Sequence, residues 1–206
     1  MKPLKIPSFH QSSGFTLLEL LVVIVIAAVL AGIAAPGWFA FVNRQRIATV
    51  NSAMAATLGK LQSEAQQRRT SIPVWFDVNT TDIPQIRYGD TFEKSSIQPL
   101  GGNDIPAGTI RLRAFRGFDA TGTAQNTWQA VTTTAGSCDS IDKACVALDF
   151  SGNPGRDRVP FKVEVYETSS PNGSSRKCVI LPTLLGQIKT EQGSGCDVSP
   201  EKILAN

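Results

Sequence analysis

The hydrophobic pattern changes character twice along the chain. From Phe15 to Ala35 every residue is apolar or small except Thr16 and one charged residue, Glu19. At 1.5 Å per residue this run makes about 30 Å of helix, enough to cross the hydrocarbon core of a bilayer. It shows no polar stripe of the kind a soluble core helix carries. Beyond Pro36 the pattern becomes one-sided. Ile47, Val50, Met54, Leu58, Leu61 and Ala65 recur at spacings of three and four, with Gln45, Thr49, Ser52, Ser63, Gln66 and Gln67 elsewhere on the wheel. The two segments together predict one long helix over about 15–67. Its first half is apolar all round and its second half has one face for a globular domain. Arg68 and Arg69 suit its C-terminal dipole, and Ser71 and Pro73 stop it.

From residue 73 the period is two. Candidate strands are Val74–Val78, Thr109–Phe115 (Ile110, Leu112 and Ala114 on one face, Arg111 and Arg113 on the other), Cys145–Phe150, Phe161–Tyr166, Lys177–Leu181 and Gly186–Thr190. Turn-rich stretches separate them, among them residues 100–104, 151–155 and 169–175. The expected fold is α+β: a long N-terminal helix packed on an antiparallel sheet of five to seven strands.

Composition sharpens this reading in two places. The chain has 206 residues, 20 Lys and Arg, 17 Asp and Glu, and one His. A net charge of +3 is too small to argue for a nucleic-acid or acidic-membrane partner. The single His10 removes most His-based catalysis and His-rich metal sites. The charge is unevenly placed, however. Residues 1–70 carry seven basic side chains and two acidic ones, and the remainder is near neutral. Lys2 and Lys5 precede the apolar run and keep residues 1–14 on the cytoplasmic side by the positive-inside rule. Arg44 and Arg46, just past the far end, weaken that asymmetry.

A secretory signal peptide or a plain anchor would account for an apolar run, but neither accounts for Glu19. A charged side chain at depth in a membrane segment costs about 2.5–3.5 kcal/mol on insertion scales and by default marks a function. Gly14-Phe15-Thr16-Leu17-Leu18-Glu19, followed by the apolar run and Pro36, resembles the class III signal of type IV pilins and pseudopilins. The resemblance covers roughly residues 10–40. It implies cleavage after Gly14 by a prepilin peptidase and N-methylation of the new terminus at Phe15. Glu19, fifth in the processed chain, then offsets the Phe15 amine or that of a neighbouring subunit during assembly. Pro36 is expected to kink or locally melt the helix.

The implied organisation is a leader over 1–14, a transmembrane and filament-core helix over 15–42, an amphipathic half over 43–72 and a periplasmic β-rich domain over 73–206. The implied partners are other pilin subunits, the prepilin peptidase, an inner-membrane pilus or secretion platform, and the membrane itself. The function expected is structural, not enzymatic, in a type IV pilus. A type II secretion pseudopilus and a DNA-binding competence pilin are the alternatives.

Part of the second half resembles the FimT/GspH-type minor pilins. Val146–Phe150 with Gly152 and Asn153, and Cys178–Leu181 followed by Leu185–Lys189, fit their outline. Some members bind DNA through a Gly-Arg-x-Arg turn. Here the turn reads Gly186-Gln187-Ile188-Lys189 and lacks both Arg, so nucleic acid is not favoured as a partner. Cys138, Cys145, Cys178 and Cys196 form an even set in the exported part and suggest two disulfides, with three pairings open. The pairing favoured is 138–145, closing a short loop, and 178–196, pinning the C-terminal tail, as pilins often do. No Cys-x-x-Cys and no nearby His support a metal, and no cofactor is expected. Asp149, Ser151, Asn153 and Asp157 read better as a turn than as a calcium loop. Arg111, Arg113 and Arg116, with Phe115 and Phe118 interleaved, read as a solvated strand face rather than a nucleic-acid track. No catalytic constellation is evident.

Overall fold

The computed structural model describes residues 15–102, 104–119, 123–140, 142–155, 159–183 and 185–204, without the side chains of residues 35, 36, 124 and 204. One helix, α1 (Leu17–Arg68), is followed by β1 (Ile72–Phe76), β2 (Gln85–Tyr88), β3 (Ser96–Pro99), β4 (Ile110–Phe118), β5 (Ala124–Val131), β6 (Cys145–Leu148), β7 (Phe161–Glu167), β8 (Lys177–Leu181) and β9 (Lys189–Gln192). A 3-10 turn over Gly193–Asp197 and a short helix α2 (Pro200–Leu204) close the chain. The chain divides into two units between Phe41 and Val42.

In the first unit every described side chain from Phe15 to Ala34 is exposed. Leu17–Ala34 is long and apolar enough to cross a membrane, and none of it is buried by the rest of the chain. The helix is unbroken across position 36, so the local melting expected there is not seen. Proline deletes one N–H, and the flanking i→i−4 bonds can hold the helix together around that gap.

The second unit is built on the stripe of α1. Ile47, Val50, Met54, Leu58, Leu61 and Ala65 are each no more than 1% exposed, so the spacing of threes and fours does mark the core face. They share one cluster with Val74, Phe76, Ile86, Val146 and Leu148 of a four-stranded sheet ordered β3-β2-β1-β6. The same cluster takes Ile110, Leu112, Ala114, Phe161, Val163, Val165, Val179 and Leu181 from a five-stranded sheet ordered β5-β4-β7-β8-β9. All strand pairs within the two sheets are antiparallel. Phe76 and Phe161, with ring centroids 5.6 Å apart, join the two sheets across the core.

Two sheets therefore replace the single sheet expected, with nine strands among the described residues. β2, β3 and β5 were not foreseen, β1 begins two residues earlier than expected, and β9 begins three residues later. α1 ends without glycine. Arg69 takes a positive φ of 52°, and the Thr70 N–H reaches back to the Ala65 carbonyl at 3.3 Å. This closes the last turn as a left-handed C-cap.

Candidate functional site

Two places carry chemistry beyond packing. The first is the start of α1. Thr16 precedes the helix, and its Oγ1 accepts a hydrogen bond from the Glu19 backbone N–H at 3.2 Å. The Thr16 carbonyl accepts from the Leu20 N–H at 3.2 Å, the first bond of the helical ladder. Thr16 is thus the N-cap and Glu19 the third helical residue; of the two bonds of a Thr-x-x-Glu capping box, only the one accepted by Thr16 is formed. The sequence signal for this cap is Thr16-Leu17-Leu18-Glu19 directly before the apolar run. Glu19 also lies in the first turn, where the helix dipole favours an anion. Among the described residues nothing makes an ion pair or side-chain hydrogen bond with its carboxylate, which is exposed. Phe15 is 81% exposed. Gly14 lies outside the described residues, as does the leader.

The second place is the face of the five-stranded sheet turned away from α1. Alternation along β7 sends Phe161, Val163 and Val165 into the core and Lys162, Glu164 and Tyr166 to this opposite face. Lys162 and Glu164 are each 2% exposed, because the C-terminal segment lies over them. Lys162 Nζ donates to the Cys196 carbonyl at 2.7 Å and to Glu164 Oε1 at 2.7 Å. It also lies over the rings of Phe115 and Trp128, at 4.4 and 4.7 Å from their centroids. Arg113 donates to Glu164 Oε2 through Nη2 at 2.6 Å and through Nε at 3.1 Å. Its guanidinium stacks between Phe115 and Tyr166. Burial pushes the Lys162 amine below the ordinary lysine range, while hydrogen bonding and attraction to Glu164 pull it back up.

The cover is fastened at several points. Cys178 on β8 is bonded to Cys196, Arg176 pairs with Asp197, and Trp128 Nε1 donates to the Val198 carbonyl at 2.8 Å. Ile203 of α2 packs with Cys178, Ile180 and Cys196.

These contacts correct the picture of a solvated basic stripe. Arg113 is committed to a buried carboxylate, and Arg116 donates to Gln129 at 3.0 Å. Arg111 is half-buried. Phe118 is only 2% exposed, and the register between β4 and β5 shifts between Arg116 and Phe118.

The remaining sequence candidates fall as follows. Cys138 is bonded to Cys145 at a sequence separation of seven, with their Cα atoms 5.5 Å apart. Trp75 packs on this pair, and its Nε1 donates to the Gly136 carbonyl at 3.0 Å. Asp149 Oδ1 accepts from the N–H groups of Ser151 and Asn153 at 2.8 and 3.0 Å. That is a side-chain-capped turn, while Asp157 lies outside the described residues. The two turns matched to the FimT/GspH outline meet on α1. Gln62 Nε2 donates to the Gly186 carbonyl at 2.6 Å, and Gln66 Nε2 to the Ser151 carbonyl at 2.7 Å.

Comparison with known proteins bears on the start of the chain and on the fold. Residues 10–35 match the family model described as the prokaryotic N-terminal methylation motif. No curated protein sequence matches the chain. Among solved structures, two of the minor pseudopilin EpsH from the type II secretion system of Vibrio cholerae are similar at 14% identity. One gives a TM-score of 0.39 over 68% of this chain and 92% of that one. The other gives 0.42 over 73% and 97%. The residues matched by the prokaryotic N-terminal methylation motif include Thr16, which caps the helix, and the apolar Leu17–Ala34 segment.

Proposed function

We propose that this protein is a minor structural subunit of a type IV pilus-like filament. Its leader is removed between Gly14 and Phe15, the Phe15 amine is methylated, and the apolar part of α1 anchors it in the inner membrane before assembly. The β-rich part then faces the periplasm and later the outside of the filament. The observation that carries this reading is the methylation motif over residues 10–35, continuous with a helix whose Leu17–Ala34 segment is long and apolar enough to span a bilayer.

The chemistry of the motif supports the role of each residue. Gly14 presents bare backbone to a peptidase cleft. Cleavage creates a cation at Phe15, one helical turn from Glu19. A carboxylate in an apolar layer is costly without a partner, so pairing with an amine fixes the axial register between subunits. A pseudopilus of a type II secretion system uses the same mechanics. The Arg113–Glu164 commitment and the Gly186-Gln187-Ile188-Lys189 turn give no support to nucleic-acid binding.

The test is the mass of the N-terminus of the membrane-extracted chain, made with and without the prepilin peptidase. A methylated Phe15 start that requires the peptidase is expected. A Met1 start, or a cut near Ala35, would overturn the reading. Co-purification with pilus or with secretion components then separates the two filaments.

A further inference from the structure

Past the end of the spanning segment, the helix changes from aliphatic to aromatic. Ile, Leu and Val dominate to Ile33, and Trp38, Phe39 and Phe41 follow within two turns. They are 65%, 68% and 51% exposed. Trp38 and Phe41 sit one turn apart, with ring centroids at 6.0 Å. With Phe39 the three rings spread over about 160° of the helix circumference, at 100° per residue. Ala31, Ala34 and Gly37 keep the surface beside the rings low. Together with the aromatics they line an open apolar trough of about 640 Å³.

We propose that Trp38, Phe39 and Phe41 form an interfacial band that seats the unassembled subunit at the glycerol level of a phospholipid leaflet, with acyl chain in the trough. The inference rests on the membrane reading above and adds what holds the helix at one depth. Length supplies the argument for that occupant. Leu20–Asn43 is a stretch of 24 uncharged residues. As helix it is about 36 Å long, some 6 Å more than a hydrocarbon core of about 30 Å. Counted from Leu20, a core of about 30 Å ends near Phe39, so Trp38 and Phe39 fall at its edge and the surplus, residues 40–43, holds Phe41. Aromatic rings favour the headgroup boundary, where one side is apolar and the other wet. The next charge in the sequence after Glu19 is the cation Arg44, of the sign that phosphate groups attract.

The experiment uses the full processed chain in phosphatidylcholine–phosphatidylglycerol vesicles. Tryptophan emission of the wild type minus that of W38F isolates Trp38 from Trp75 and Trp128. Lipids brominated either near the headgroup or near the chain end then report depth. Quenching about twofold stronger by the shallow label is expected for a ring at the interface. Stronger or equal quenching by the deep label overturns the band. So does the absence of quenching in a chain that sediments with the vesicles, which would leave the aromatic rings to a neighbouring subunit. A chain that does not sediment with vesicles at all sinks the membrane reading itself, and the band with it.

Discussion

Lys162 and Glu164 stand two residues apart on β7, and their side chains meet at 2.7 Å where each residue is only 2% exposed. Arg113 shares the same carboxylate, so two cations face one anion. Such a group is held together by its own geometry, and removing the anion leaves two cations facing each other. E164A is therefore expected to destabilise the protein by about 3–5 kcal/mol, the usual cost of an orphaned buried charge. K162M combined with E164L removes the two buried ions and leaves only Arg113, whose side chain is 30% exposed and can turn to water, so it should cost clearly less than E164A alone. Thermal unfolding of the detergent-solubilised chain checks the order. If E164A unfolds at the wild-type temperature, the carboxylate is not holding the two cations.

Stability should also depend on alkaline pH through Lys162. Desolvation lowers its pKa from 10.5, with Glu164 and Asp197 opposing that shift and Arg113 adding to it. Between the lowered value and 10.5 the unfolded chain binds the proton that the folded chain has released. Stability due to this group therefore rises with pH across that window and levels off above 10.5. Below the window Lys162 is charged in both states and the full cost of burying it is felt. K162M lacks this titration. Denaturant unfolding of wild type and K162M as a function of pH should show the difference moving in favour of wild type through the alkaline window. A constant difference would mean that Lys162 keeps its ordinary titration.

What was legible in the sequence follows from the range of the interactions involved. The stripe Ile47–Ala65 and the alternation of Ile110, Leu112 and Ala114 are local periodicities, and a single buried face writes them directly into the chain. β2 (Gln-Ile-Arg-Tyr), β3 (Ser-Ile-Gln-Pro) and β5 (Ala-Gln-Asn-Thr-Trp-Gln-Ala-Val) carry no such record. β3 and β5 are edge strands, and among the described residues one side of each is met by no other strand. The split into two sheets is a matter of long-range pairing: β1 pairs with β6, some seventy residues later. The burial of Lys162 and Glu164 was hidden for a similar reason. On β7 they occupy the positions of a solvated face, and what covers them comes from residues 193–204, which show no periodic pattern. At the N-terminus the motif around Glu19 is local and plain, whereas the cap shows only when the Thr16 hydroxyl is placed on the Glu19 N–H.

The two disulfides should contribute unequally. Cys178–Cys196 closes a separation of 18 residues and Cys138–Cys145 one of 7. Loop-closure entropy gives about 3 kcal/mol for the longer loop and about 2.4 kcal/mol for the shorter. Paired Cys→Ser variants at 178/196 should also free the C-terminal cover. Hydrogen exchange is expected to accelerate over residues 193–204 and over β8, while the stripe of α1 stays protected. Exchange that rises equally everywhere would show that the cover is not a separate fastening but part of one cooperative unit.

Two glycines test how tightly the turns are seated on α1. Gly152 has φ +76°, and a Cβ there would stand 2.7 Å from the Gln62 carbonyl oxygen and 2.8 Å from Gln66 Nε2. Gly186 has φ +71°, and its Cβ would meet Asn153 Oδ1 at 2.7 Å and Gln62 Nε2 at 2.9 Å. In both cases alanine faces the penalty of the left-handed region and a collision as well. At Gly152 part of that collision is with helix backbone, which cannot swing aside as a side chain can. G152A is therefore expected to cost about 2–4 kcal/mol, combining conformational strain with overpacking. G186A should cost less, because the Gln62 and Asn153 side chains can move at the expense of the Gln62–Gly186 hydrogen bond. Gly59 is the control: it lies within α1, and a Cβ there would meet nothing within 4 Å. G59A should stabilise by about 0.5–1 kcal/mol through backbone entropy alone. Equilibrium unfolding of the three variants would rank them G59A above wild type, then G186A, then G152A. If G152A were as stable as wild type, the turn would not be seated on the helix at the Gln62 carbonyl.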